Sequence, residues 1–113
     1  MHEISVMQST MEIAIEHAKA KNAQKIHRLH MRVGALSGVV PDSLEFAFPI
    51  VAQGTMAEGA ELEIEFVPAL CQCTSCGSQF EPKDFFYECP NCKALTVDLV
   101  HGKELELAFL EVS

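Results

Sequence analysis

Two Cys-x-x-Cys pairs, Cys73 with Cys76 and Cys89 with Cys92, are separated by twelve residues in a chain that carries one further cysteine, Cys71. This spacing predicts a closed site of four thiolates, in which the metal ties the intervening loop into one unit. Gly77 follows the first pair and Pro90 sits inside the second, turn residues that let backbone amides aim at the sulfurs. Zn²⁺ is the expected occupant, because a tetrahedron of thiolates suits a d¹⁰ ion with no geometric preference of its own. A closed site leaves no position for a substrate, so the expected role of this metal is to hold a loop together, with the activity elsewhere.

A chain of 113 residues matches one ordinary domain, or a compact domain carrying a small metal module, and buries roughly two-thirds of its unfolded surface. It contains no run of about eighteen apolar residues, and it begins without the basic and apolar segments of a signal peptide. The expected location is the cytoplasm, with no membrane association. In that reducing compartment the five cysteines read as ligands rather than disulfides, and their odd number agrees.

Charge separates this module from its nucleic-acid-binding counterparts. Lys and Arg number 8 against 16 Asp and Glu, a net charge of −8, and between Cys71 and Cys92 the only Lys or Arg is Lys83, set among Glu81, Asp84 and Glu88. A protein that grips phosphates needs cations to displace their counterions, so nucleic acid is not an expected partner.

Hydrophobic period organises the remainder. Ile4, Met7, Met11, Ala14, Ile15 and Ala18 form the stripe of an amphipathic helix running to about Lys21, with Lys19 and Lys21 at its negative end. Leu29, Met31 and Val33 alternate with Arg28, His30 and Arg32 in the two-residue period of a strand. A second helix is predicted from Pro41, Asp42 or Ser43, which offer a fixed φ and a capping oxygen, burying Leu44, Ala47, Phe48 and Val51 before Gly54. Pro49 predicts a kink or local break in it.

Two more strands follow. Leu62, Ile64 and Phe66 alternate with Glu61, Glu63 and Glu65, and Leu105, Leu107 and Phe109 with Glu104 and Glu106. The first strand is basic on its polar face and the other two are acidic, so the first is expected beside at least one acidic strand; most of the glutamates are expected to form a solvated face. The fold class predicted is α+β, two helices packed on one face of a small three-stranded mixed sheet, with an inserted four-cysteine zinc-ribbon-like module. The expected division is residues 1–68 as the first part of the α+β domain, 69–98 as the zinc module and 99–113 as the final strand of that domain.

The second chemical feature is Met1-His2-Glu3. A free amine one peptide bond from an imidazole makes a chelate, in which the amine, the ionised His2 amide and the His2 ring take adjacent corners of a square plane and the Glu3 amide or another donor the fourth. Tetragonal nitrogen-rich sites of this kind select Ni²⁺ or Cu²⁺. The positive end of the first helix favours the neutral amine over ammonium. His27 and His30 read as surface or packing residues, as do His17 and His101, although the latter two are the histidines considered as approaching the terminus.

These residues resemble the HypA/HybF nickel metallochaperones of hydrogenase maturation along the full chain. The likeness lies in Met1-His2-Glu3, His17 in Glu-His-Ala-Lys, the run from Val33 to Val39, Gly54-Thr55, the stretch from Ala57 to Ala60, Cys-x-Cys-x-x-Cys from Cys71, and Cys89-Pro90-Asn91-Cys92. The resemblance implies that His2 ligates Ni²⁺ with the Met1 amine and neighbouring amides, that Glu3 contributes its backbone or side chain, and that Cys73, Cys76, Cys89 and Cys92 hold structural Zn²⁺. It also implies delivery of nickel toward the [NiFe] hydrogenase large subunit together with the GTPase HypB. Lys93 stands where some relatives carry a histidine just after the last cysteine, and Pro49 replaces a helix-friendly residue.

Two other classes fit the cysteines alone. A rubredoxin-like iron protein uses the same Cys-Pro-x-Cys pattern and is red and redox-active; a zinc-ribbon adaptor is indifferent to His2. An enzyme is not expected, for lack of a nucleophile-base pairing, a phosphate-binding glycine loop or an open zinc position. Cys71 reads as a packed thiol, with exchange for Cys73 at the metal as the alternative.

Overall fold

The computed structural model describes residues 2–82, 87–95 and 97–113, with the His2 side chain outside that description. Helix α1, His2–Ala20, buries Met7, Met11, Ala14 and Ala18 along one stripe and begins two residues before its apolar periodicity. Strand β1, Ile26–Gly34, buries Ile26, Leu29, Met31 and Val33 beneath it. Helix α2, Pro41–Ala52, adds Leu44, Ala47, Phe48 and Ala52 to the same core.

Two expectations for α2 are corrected. Pro41 opens the helix, but no side-chain oxygen caps it; the Val40 carbonyl instead accepts from the Ser43 and Leu44 amides at 3.1 and 3.2 Å. The helix also runs unbroken through Pro49. Pro49 and Glu45, whose carbonyl loses a helical donor, are both exposed. Both lie on the solvent side of α2, opposite the buried stripe of Leu44, Ala47, Phe48 and Ala52 that holds the helix to the core.

Strand β2, Glu61–Val67, and strand β6, Leu105–Val112, flank β1 in the order β2-β1-β6, with β2 parallel and β6 antiparallel to it. The parallel pair is joined by α2, the crossover that parallel strands require. Basic β1 therefore lies between both acidic strands. Arg28 contacts Glu63 at 3.0 Å, Glu61 at 3.5 Å and Glu111 at 3.7 Å, while Arg32 contacts Glu106 at 3.0 Å and Glu65 at 3.5 Å. His30 bridges Glu63 and Glu65 through its two ring nitrogens at 3.0 and 3.2 Å, and these bonds, the one to Glu63 foremost, hold its pKa above the ordinary value. The glutamates thus form a cross-strand ladder on a face that also stays solvated, their side chains 44–72% exposed.

Strict alternation misplaces Phe109. His30 faces Phe109 while Met31 faces Leu107, so Ala108 is the extra residue of a β-bulge. The bulge turns Phe109 onto the charged side, where it stacks on His30 with centroids 4.5 Å apart and planes 7° from parallel. Leu110 returns to the core side. A bulge shifts every later side chain to the opposite face, which a two-residue count cannot anticipate. At the sheet's other edge Phe66, expected on the buried face, is 55% exposed.

The second sheet is antiparallel, ordered β4-β3-β5, with β3 at Leu70–Cys73, β4 at Gln79–Phe80 and β5 at Val97–His101. Val97–His101 thus pairs within this sheet, and the final strand of the first sheet starts at Leu105. The chain leaves the first sheet after β2 and returns to it as β6, so the cysteine module is inserted between two of its strands. Gly34 marks the join. Its amide donates to the Glu104 carbonyl at 2.7 Å, and a Cβ there would collide with the Gly102 carbonyl and lie 2.8 Å from the Glu104 amide nitrogen. Backbone cannot retreat as a flexible side chain does. Gly34→Ala is expected to destabilise the fold by about 2–3 kcal/mol, read as a lower denaturant midpoint; an unchanged midpoint would show that the join is slack.

Candidate metal centres

The two cysteine knuckles repeat one backbone design. In the first, the Cys73 amide donates to the Ser78 carbonyl at 2.8 Å and the Gly77 amide to the Cys73 carbonyl at 3.0 Å; in the second, the Cys89 amide donates to the Ala94 carbonyl and the Lys93 amide to the Cys89 carbonyl, each at 2.9 Å. The turn closes on a left-handed residue in both, Gly77 at φ 79° and Lys93 at φ 67°. Glycine takes that conformation freely, whereas lysine adopts it against steric cost. The departure at Lys93 therefore occupies a backbone position fixed by the knuckle.

This geometry turns amides toward sulfur. Cys73 Sγ accepts from Ser75 and Cys76 at 3.4 and 3.5 Å, and Cys89 Sγ from Cys92 at 3.5 Å. All four sulfurs of Cys73, Cys76, Cys89 and Cys92 lie within 4.8 Å of one another, with Cys73–Cys92 at 3.5 Å and Cys76–Cys89 at 3.6 Å. A tetrahedron with metal–sulfur bonds of about 2.3 Å has edges of about 3.8 Å, so the donor set fits one zinc-sized ion. Cys73 and Cys89 are buried while Cys76 and Cys92 reach the surface.

The protonation states point the same way. Hydrogen bonds from the Ser78 hydroxyl and amide and from Asn91 pull the Cys76 thiol down to about 5. The Ala94 amide lowers Cys92 as well, but the neighbouring sulfurs and burial together push it up to about 12. Four thiolates this close repel one another, and a divalent cation removes the conflict. Ser78 and Asn91, which also contact each other at 3.4 Å, support Cys76 in a way that motif spacing alone does not reveal.

Cys71 stands outside this group. It is fully buried in β3 opposite Phe80 and Leu99, and burial raises its thiol above the ordinary value. A protonated packed thiol is a poor ligand.

Of the N-terminal residues, Met1 and the His2 side chain lie outside the described residues, while the His2 backbone opens α1 and Glu3 is half-buried in its first turn. Glu3 and Ile4 line a hollow of about 320 Å³ with Asp42, Ser43, Phe46 and Ala47, so the first turns of both helices meet there. His17 is fifteen residues along α1, about 22 Å from His2 at 1.5 Å per residue. The helix therefore carries it away from the terminus, contrary to the approach considered from sequence. His101 closes β5 in the second sheet, 3.3 Å from Glu104.

The profile described as "Hydrogenase/urease nickel incorporation, metallochaperone, hypA" matches residues 1–112. The hydrogenase maturation factor HypA of Picosynechococcus sp. is 53% identical over 112 residues, covering 99% of both chains. That of Geobacter metallireducens is 42% identical with the same coverage. Among solved structures, the solution structure of the Ni metallochaperone HypA from Helicobacter pylori is similar with a TM-score of 0.67 at 28% identity, covering 97% of this chain and 96% of that one. A solution structure of HypA protein gives a TM-score of 0.73 at 29% identity, covering 100% and 97%.

Proposed function

This chain belongs to the HypA family of nickel metallochaperones, and from that membership we propose that it binds Ni²⁺ at Met1-His2-Glu3 and delivers it to the [NiFe] hydrogenase large subunit with the GTPase HypB in the cytoplasm. The observation that carries the site is that α1 opens at His2. An amide in the first turn of a helix has no carbonyl to bond inside that helix, so the His2 nitrogen can be ionised and metallated without breaking the ladder. The positive ends of two helices at the same hollow favour a neutral amine and an anionic amide. Glu3 supplies the fourth corner through its backbone or side chain.

Zinc holds the inserted module through Cys73, Cys76, Cys89 and Cys92, and the nickel unit comprises α1, β1, α2, β2 and β6. The two metals differ in exchange. Thiolate-bound zinc is coupled to folding, whereas a chelate at a chain end is assembled and undone without unfolding a domain. Metal analysis of untagged protein should find one tightly held zinc per chain, and calorimetry one further Ni²⁺. Colourless protein that takes up no nickel would leave a zinc-ribbon adaptor; red, iron-loaded protein would leave a rubredoxin-like carrier.

A further inference from the structure

Strand β6 is an edge, with β1 on one side and no strand on the other among the described residues. Along that edge α1 overhangs an apolar groove of about 310 Å³ lined by Ile13, His17, Lys21, Leu107, Phe109 and Val112, among others. Ile13 is 48% exposed and Val112 37%, while the ring of Phe109 lies on the opposite face of the strand against His30. The helical wall carries His17 and Lys21, which make no ion pair with any described residue. On the opposite face of the strand Glu106 and Glu111 are about half exposed and, among the described residues, pair only with Arg32 and Arg28 of β1.

We propose that this edge docks an extended segment of a partner protein, which adds a strand to β6. Its chemistry follows from the two faces. The side toward α1 is apolar, with a carboxylate that reaches His17 and Lys21. The other side is basic, against Glu106 and Glu111. Backbone pairing supplies affinity and the alternating side chains select the partner. A second copy of this chain is the poorer occupant: antiparallel pairing of two β6 strands about their centre sets Glu106 opposite Glu111 and brings two copies of His17 and Lys21 together, like charge against like on both faces.

The probe is a blocked peptide, Val-Lys-Asp-Lys-Ile-Lys-Val, titrated into zinc-loaded full chain by ¹⁵N NMR. Saturable shifts should concentrate at β6 and at the α1 ridge of Ile13 and His17, with slowed amide exchange on the outer edge of β6. The double variant His17→Glu with Lys21→Glu, both surface residues, should weaken binding at least tenfold even though it raises the net attraction for a cationic peptide. Replacing the peptide's Asp with Lys should do the same. No saturable binding, shifts centred elsewhere, or affinity unmoved by the double variant each overturns the proposal. Concentration-dependent dimerisation that the peptide competes away would assign the edge to a second copy instead.

Discussion

His2→Ala is expected to lower nickel affinity by more than about 100-fold, beyond the 10–100-fold typical of losing only the outer groups that orient a ligand, with zinc content and thermal unfolding unchanged. In the proposed chelate, the imidazole would close a ring shared with the His2 amide and the terminal amine, so its loss would remove the ligand that anchors ionisation of the amide. One residue added ahead of Met1 should have a comparable effect by a different route. It converts the amine into a peptide nitrogen and moves the new terminus out of the ring. Calorimetry measures both losses, and absorption of the Ni²⁺ complex reports whether the square plane survives. An extended or acetylated protein that still forms the same square-planar complex would sink the terminal-amine assignment. Affinity should rise with pH in the unmodified protein, because each nitrogen must shed a proton before it binds.

The second large effect lies at the cysteines. Cys73→Ser or Cys89→Ser removes one of the two buried sulfurs of the proposed zinc site, and structural zinc contributes on the order of 10 kcal/mol to folding in small modules. The sheet β4-β3-β5 has few alternatives, since β4 is only two residues long. Loss of either sulfur should release zinc and collapse the amide dispersion of that sheet, while β2-β1-β6 and its helices keep theirs. Cys71→Ala should retain zinc and lose only packing, about 1 kcal/mol or more for a cavity in a filled core. Four-sulfur coordination persisting in Cys73→Ser, by zinc absorption spectroscopy, would mean that Cys71 takes its place.

Particular residues mark the limit of what the chain's pattern discloses. The stripe from Met7 to Ala18 and the alternation from Arg28 to Val33 are local periodicities, and each became the element it described. The sign contrast between strands likewise anticipated the ladder around Arg28 and Arg32. Phe109 and Pro49 did not follow their local rules. One was turned over by a bulge whose position depends on the partner strand, and the other sits with Glu45 on the exposed face of α2, opposite the buried stripe. The support that Ser78 and Asn91 give Cys76 was invisible for the same reason, since it exists only once both knuckles are brought together.

The amino-acid order alone indicated both helices, the three strands of the first sheet, the four grouped sulfurs and the family likeness of Met1-His2-Glu3, because periodicity and cysteine spacing are properties of neighbours along a chain. Only the tertiary structure decided which strand is central, which face receives Phe109, that His17 belongs to the β6 groove rather than to the terminus, and that residues 97–101 join the second sheet. Those outcomes depend on contacts between segments far apart in sequence, whose energies are set by register and burial rather than by any residue's own preference.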